Sequence, residues 1–114
     1  MKILLVVATK SEIIEDKFKD CDVIVTGVGM VMTIFSLTKR LSKKSYDLVI
    51  NMGVAGSFSD EIKIGDVVEV IEDIFSEIGF ENGNSFSEFT NFRIENYFKV
   101  DKKTNLKKVK GITV

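Results

Sequence analysis

Glu12 places a carboxylate a few residues after the first apolar run of the chain. Two later apolar runs end in turns of small residues, Gly27-Val28-Gly29 and Gly53-Val54-Ala55-Gly56, which present bare backbone amides. A carboxylate in such a place can hold a water molecule and take its proton, while glycine turns let a small molecule approach the backbone closely. The combination predicts a small-molecule site that is built for hydrolysis.

Glu12 has a structural interpretation as well. Thr9 and Glu12 have the spacing of a capping box, in which the two side chains satisfy the free amides at the start of a helix. Spacing alone favours capping over catalysis. The two roles compete in part, because a carboxylate that is bonded to backbone amides is a weaker base.

The turn after the second run has two interpretations. Gly27-Val28-Gly29 resembles a fragment of a dinucleotide fingerprint, but Met32 stands at the third glycine position, so this signal is weak. In a shorter interpretation Gly29 lets the backbone approach a sugar or an anion, and Met30 offers an apolar surface to a ribose or base. The alternative is a tight strand-to-helix turn with Met30 in the core.

The third turn contains no side chain larger than valine before Phe58. Such a loop indicates close backbone approach, either to a ligand or to a neighbouring element. Ser57 fits a hydrogen-bond donor or a helix cap. The sequence has no histidine, which argues against Ser57 as a nucleophile.

Length and composition narrow the class of protein. The 114 residues predict one domain, and the net charge of −1 gives no reason to expect a nucleic acid partner. No apolar run approaches the length that spans a bilayer. The first run is too short for the core of a secretory signal and no cleavage site follows it, so we expect a cytoplasmic protein without a membrane partner. With zero His and the single Cys21, a zinc site of the usual kind is excluded. Magnesium held by carboxylates stays open as an alternative without a motif behind it, and no cofactor is expected.

The order of elements predicts an α/β fold. Residues 2–8, 22–26 and 47–51 are continuous apolar runs typical of strands buried on both faces, and helical segments are expected over 11–19 and 31–41. Alternation of this kind favours a parallel sheet, in which ligands bind beyond the carboxyl ends of the strands. All three turns would lie at that edge.

The carboxyl-terminal half is more polar. Residues 66–71 partly alternate and predict a strand that is more exposed than the first three. Asn82-Gly83-Asn84 is a turn signal, and a further strand is predicted over residues 108–114. The spacing of three aromatic residues predicts a shared helical face that closes a core or covers a pocket: Phe86, Phe89 and Phe92.

Several segments, in order along the chain, resemble the nucleoside phosphorylase/nucleosidase superfamily. Residues 8–12 are similar to the opening of the methylthioadenosine/S-adenosylhomocysteine nucleosidases and their relatives. Four further segments most closely resemble futalosine hydrolase: residues 26–31, 51–58, 64–68, and 79–83 followed by Phe86.

The resemblance implies an α/β sandwich around a mixed sheet that partly closes into a barrel. It also implies cleavage of the N-ribosidic bond of a purine nucleoside, here futalosine, which releases hypoxanthine in menaquinone biosynthesis. Glu12 maps onto the water-activating carboxylate. Residues that would contact the substrate are Ala8, Thr9, Gly29, Met30, Val54, Ala55, Gly56 and, near the base, Phe75.

Hydrolysis is favoured over phosphorolysis because phosphate as a nucleophile needs cationic clamps, usually arginine. The two arginines are Arg40, at the far end of a predicted helix, and Arg93, in the polar segment. Neither glycine turn contains a basic residue.

By the same resemblance, the chain corresponds to the amino-terminal half of a phosphorylase-type domain. Family members carry the groups that hold the ribose hydroxyls and protonate the purine in a second half, so we expect this chain to be inactive alone. The resemblance and an uncovered face of the predicted sheet both imply a homo-oligomer. The alternatives are a methylthioadenosine-type nucleosidase and a non-catalytic nucleotide-binding module of flavodoxin-like architecture. A third is a half-domain that completes its sheet with another chain.

Overall fold

The first strand, β1 (Ile3–Val7), is the most deeply buried element of the chain. Its last four residues are between 0% and 3% exposed, namely Leu4, Leu5, Val6 and Val7. The computed structural model describes residues 1–88 and 95–114. They form two compact units, Met1–Phe58 and Ser59–Val114, and each is described by itself.

The amino-terminal unit contains a three-stranded parallel sheet. β1 lies in the centre, between β2 (Asp22–Val25) and β3 (Leu48–Asn51). Leu5 is paired with Val23 on one side and with Ile50 on the other. The predicted parallel arrangement of the three apolar runs is therefore confirmed.

The expectation that all three strands are buried on both faces is wrong for β2 and β3. Val25, Val49 and Ile50 are exposed, and only β1 belongs to the core. An apolar run shows that a strand can be buried, but the neighbours that cover it decide whether it is. In this unit β2 and β3 are the outer strands, so they have fewer such neighbours than β1.

The segment that connects β1 to β2 differs from the predicted helix over residues 11–19. It forms two single turns of 3-10 helix, Lys10–Glu12 and Glu15–Lys17. Single turns of this kind suit a segment whose apolar residues are too few to hold a longer helix against the sheet. The helical prediction for this segment was wrong in type and in length.

The prediction of a helix over residues 31–41 is confirmed by α1 (Met30–Leu41). The apolar stripe of this helix does not face the sheet: Val31, Ile34 and Phe35 are all more than 60% exposed. The side that meets the end of β2 is polar instead. Ser36 Oγ donates to the Thr26 carbonyl oxygen at 3.2 Å, and the Thr33 and Thr26 hydroxyl oxygens lie 3.3 Å apart.

The carboxyl-terminal unit is built on a mixed three-stranded sheet. Its central strand β4 (Val68–Phe75) pairs in parallel with the last strand of the chain, Lys107–Thr113, and antiparallel with Tyr97–Lys99. β4 is half-buried over most of its length. This strand was expected to be more exposed than the first three. The expectation is wrong for the comparison with β3, because β4 has a neighbouring strand on each side.

A short hairpin completes this unit. Its strands are β5 (Phe80–Asn82) and β6 (Ser85–Ser87), joined through Gly83 in the left-handed region at φ 65°. The turn predicted at residues 82–84 is confirmed. Phe86 lies in β6, so it does not start a helical face, and Phe89 and Phe92 lie outside the described residues.

The remaining strands are numbered β7 (Tyr97–Lys99) and β8 (Lys107–Thr113). The strand predicted over residues 108–114 corresponds to β8. With strands, one α-helix and parallel and mixed sheets in the described ranges, the α/β class predicted from the sequence is confirmed. Over residues 1–88 and 95–114 no helix combines the length and the apolar character that crossing a membrane requires.

Candidate functional site

The three turns singled out in the sequence meet at one edge of the amino-terminal sheet. The Thr26 amide donates to the Val7 carbonyl oxygen at 2.9 Å, and the Gly27 amide donates to Ala8 at 3.1 Å. On the other side of β1, the Met52 amide donates to the carbonyl oxygen of Val6 at 2.9 Å. These bonds bring the carboxyl ends of the strands together, as the parallel register requires.

Glu12 lies at this edge and is held by the turn after β1. Its Oε2 accepts the amide of Ala8 at 2.9 Å and the amide of Thr9 at 2.8 Å. Thr9 and Glu12 form the capping box that their spacing predicted. One carboxylate oxygen is thus fixed in place by two main-chain donors.

The second oxygen of Glu12 is directed differently. An ideal Cβ built on Gly53 would lie 3.3 Å from Glu12 Oε1, so this oxygen lies directly beside the backbone after β3. Among the described residues, none donates a hydrogen bond to Oε1, and no lysine or arginine forms an ion pair with Glu12. The capping role therefore uses one oxygen and leaves the other available.

An open hollow of about 730 Å³ lies next to Glu12. Its walls combine the turn after β1, the two 3-10 turns and the start of the loop after β3. The lining residues are Thr9, Ser11, Glu12, Ile13, Ile14, Lys17, Phe18, Met52, Gly53 and Val54. The volume falls within the usual range for small-molecule sites, and the wall is partly apolar with one carboxylate.

The turn after β2 also reaches this sheet edge. Gly29 adopts φ 96° as the residue before α1, a backbone conformation that favours glycine. A Cβ at Gly29 would meet nothing within 4 Å, and Met30 is 44% exposed. The alternative that Met30 belongs to the core is thus wrong, although neither residue lines the hollow beside Glu12.

The loop after β3 is exposed throughout its small residues. Val54 lines the hollow with Thr9 and Glu12, so three of the predicted site residues are brought together there. Ala55 and Gly56 follow directly and are exposed, but they do not line it.

Phe75 lies at the end of β4, in the carboxyl-terminal unit. Its ring packs edge-to-face on Phe98, with ring centroids 5.4 Å apart and an interplanar angle of 80°. This contact anchors β7 to β4, which is a packing role.

Two other carboxylates are paired with lysine side chains. Lys44 and the Tyr46 hydroxyl both bond Asp22 and keep the pKa of its carboxyl below the usual range. Lys108 does the same for Glu69, whose pKa is lowered to about 2 with further help from Thr104 and the Lys103 amide. These groups are structural ion pairs, whereas Glu12 is held by backbone amides alone.

Arg40 lies at the opposite end of the strands from Glu12. Its guanidinium is 3.2 Å from the hydroxyl of Tyr46 and 3.9 Å from the carboxylate of Asp22, at the start of β2. It therefore supplies no cation to the edge that carries the glycine turns. Arg93 lies outside the described residues.

Sequence reasoning singled out the loop that starts at Gly53 but missed the apolar lining of the hollow, above all Ile13, Phe18 and Met52. The small residues of this loop indicated close backbone approach, either to a ligand or to a neighbouring element. Which group approaches it could not be deduced, since the contact with Glu12 depends on the pairing of β3 with β1.

Comparison with known proteins places the chain in a family. The family model described as the Phosphorylase superfamily matches residues 10–108, which is most of the chain. The chain therefore belongs to the phosphorylase superfamily. No solved structure shows a significant match.

Three relatives are similar over a shorter segment, and each is named 5′-methylthioadenosine/S-adenosylhomocysteine nucleosidase. The protein from Shewanella halifaxensis (strain HAW-EB4) is 47% identical over 49 residues, which cover 41% of this chain and 21% of the relative. The protein from Shewanella sediminis (strain HAW-EB3) is 45% identical over 49 residues, with the same coverage.

The third relative, from Marinomonas sp. (strain MWYL1), is 42% identical over 50 residues, which cover 44% of this chain and 22% of the relative. The matched segment thus spans about a fifth of the length of these relatives.

Proposed function

We propose that this chain carries the water-activating side of a site that hydrolyses the N-ribosidic bond of a purine nucleoside, with Glu12 as the general base. The observation that carries the proposal is that the two carboxylate oxygens of Glu12 have different surroundings. Oε2 is fixed by the amides of Ala8 and Thr9, while Oε1 lies beside Gly53 at the hollow.

The chemistry needs a base in this position. Oε1 takes a proton from a water molecule as that water attacks the anomeric carbon of the ribosyl group. The bond from this carbon to the purine nitrogen breaks, and the purine leaves with the bonding electron pair and a proton from an acid. The transition state resembles an oxocarbenium ion, which a nearby carboxylate also stabilises electrostatically.

The proposed substrate-binding residues come from the resemblance to the superfamily. The backbone of Ala8 and Thr9 and the exposed surface of Gly29 and Met30 would face the ribose and the attacking water. Val54 forms one wall of the hollow. We assign Ala55 and Gly56 to backbone contacts with the nucleoside.

Futalosine is the proposed substrate, because the ordered segments of the sequence most closely resemble futalosine hydrolase. A second candidate is methylthioadenosine or S-adenosylhomocysteine, favoured by the names of the three relatives. Both reactions break a ribose–purine bond and require the same base. They differ in the product, which is hypoxanthine from futalosine and adenine from the second pair.

The experiment is an assay of base release by the protein expressed from its natural reading frame. Futalosine and methylthioadenosine are supplied separately, and hypoxanthine and adenine are quantified by liquid chromatography. Hypoxanthine alone supports the first candidate, and adenine alone supports the second. The proposal fails if neither base is released, or if Glu12→Gln releases base as fast as the unchanged protein.

A second measurement tests the placement of the substrate without turnover. The ¹⁵N-labelled 114-residue chain is titrated with each nucleoside, and the amide resonances are followed. We expect changes at Glu12, in the turn before α1 and in the loop after β3. Changes confined to the carboxyl-terminal unit would contradict the assignment.

A further inference from the structure

Gly53 is the residue that faces the free oxygen of Glu12. A Cβ at this position would lie 3.3 Å from Oε1 and 4.0 Å from the carboxyl carbon. The shorter separation is tighter than nine in ten contacts of real Cβ atoms, so a methyl group at position 53 would require Glu12 to shift by a few tenths of an ångström.

Glu12 has little freedom to give way. Its other oxygen is bonded to the amides of Ala8 and Thr9, and its own amide donates to the Thr9 carbonyl oxygen at 3.2 Å. Because the backbone of Glu12 and one of its carboxylate oxygens are both bonded, a shift of the side chain changes the geometry of these bonds. A displacement of Oε1 is therefore transmitted to the two amides.

Backbone conformation does not explain this glycine. Positive φ values occur at Gly27, Gly29, Gly65 and Gly83, and Gly53 is not among these residues. An alanine at position 53 can thus adopt the native backbone without strain. What distinguishes the position is the side chain that faces it.

We infer that Gly53 is a positioning residue for Glu12: the absence of a side chain at position 53 lets the carboxylate keep its bonds to the turn after β1 and its free oxygen at the hollow. The inference rests on the proposed function for its catalytic consequence, but its geometric content is independent of turnover. The register of β3 against β1 sets this relationship, because the pairing of Asn51 with Val6 determines where the chain emerges.

The test compares Gly53→Ala with Gly56→Ala in the 114-residue chain. Gly56 is a matched control for the geometric measurement, because it is exposed, lies in the same loop without a positive φ, and a Cβ there would meet nothing within 4 Å. The signature is the pair of amide proton resonances of Ala8 and Thr9, which report their bonds to Oε2.

In Gly53→Ala we expect both amide resonances to move toward the positions that they take in Glu12→Ala. In Gly56→Ala they should stay as in the unchanged chain. A second comparison adds Gly53→Ala to Glu12→Ala, where no carboxylate remains to be displaced and the two resonances should not move further. If the two resonances in Gly53→Ala match those of the unchanged chain, the inference is overturned.

Failure of Gly53→Ala to fold is also decisive. If the double variant Gly53→Ala/Glu12→Ala folds, the clash acts through the carboxylate and the inference stands. If the double variant fails as well, Gly53 is needed for another reason and the inference is overturned.

Base release by the protein from the natural reading frame separates the two proposals. Gly53→Ala should lower kcat by about 10–100-fold with a smaller change in KM, because a misplaced base slows the chemical step. Absence of turnover in the unchanged protein, together with the expected amide shifts, would reject the proposed function and leave the positioning role in place.

Discussion

Glu12 Oε2 lies 2.8 Å from the amide nitrogen of Thr9, and this hydrogen bond fixes one edge of the carboxylate while its other oxygen lies beside Gly53. Capping and catalysis had been expected to compete for this side chain. The geometry assigns capping to one oxygen and leaves the other without a hydrogen-bond donor among the described residues. The two roles should therefore be separable by substitution.

Glu12→Gln should lower base release strongly and keep the cap. The amide oxygen of glutamine can still accept the Ala8 and Thr9 bonds, but it cannot take a proton from water. We expect base release to fall by about 10²–10⁴-fold, the usual contribution of a general base. Glu12→Ala removes the cap as well and should also lower the free energy of unfolding by about 1 kcal/mol.

The measurements are base release by the protein from its natural reading frame and urea unfolding. Asp16→Asn is the control, because it removes an exposed carboxylate that does not line the hollow. Equal losses of stability in Glu12→Gln and Glu12→Ala would contradict the assigned division between the two oxygens.

Thr26 is the buried polar residue that joins β1 to α1, at only 4% exposure. Its hydroxyl donates to the Gly27 carbonyl oxygen at 2.9 Å and lies 3.3 Å from the hydroxyl oxygen of Thr33. Thr26→Val keeps the shape and removes this donor. We expect the free energy of unfolding to fall by about 1–2 kcal/mol, because the bond is lost and its partners stay covered.

Urea unfolding, followed through amide signals of the amino-terminal unit, measures this loss. Thr38→Val on the exposed side of α1 makes the same chemical change without a buried bond and should alter stability by no more than about 0.5 kcal/mol. A Thr26→Val protein as stable as the control would show that the hydroxyl network does not contribute.

Local patterns in the sequence predicted the parts of the fold that local physics determines. The capping box of Thr9 and Glu12, the start of α1 after Gly29 and the turn at Gly83 all depend on residues within one turn of each other. The central strand β1 was equally clear, because its four buried residues are continuous.

The features that sequence reasoning missed depend on distant partners. Exposure of Val49 in β3 follows from its place at the side of a three-stranded sheet, which an apolar run does not reveal. The contact of Glu12 with Gly53 requires the register between β1 and β3. Helical spacing in α1 was correct, yet spacing alone did not indicate that Thr33 and Ser36 face β2 while Phe35 is exposed.

Gly79 directly precedes the β5–β6 hairpin. A Cβ there would lie 2.5 Å from a ring carbon of Phe86 and would also meet the carbonyl oxygen of Ser87. Gly79→Ala should lower the free energy of unfolding by about 1–3 kcal/mol, because the ring and the strand must move apart. Gly56→Ala, with open space around its Cβ, should change it by about 0.5 kcal/mol or less. Urea unfolding of both variants measures this difference. Equal free energies of unfolding for Gly79→Ala and Gly56→Ala would contradict the close contact.

Glu69 should make stability depend on pH in acid. Bonds from Lys108, Thr104 and the Lys103 amide lower its pKa from 4.5 to about 2, so the unfolded chain takes up this proton at a higher pH than the folded one. The contribution of the ionised Glu69 carboxylate to the free energy of unfolding is complete above pH 4.5 and is lost as the pH falls toward about 2.

Glu69→Gln should flatten the decline of the urea midpoint across this window without removing it, since Asp22 and Glu72 also have lowered pKa values. Glu77→Gln, which removes the same charge at an exposed position, is the matched control. A Glu69→Gln protein with an unchanged slope would show that these bonds do not hold the carboxylate in solution.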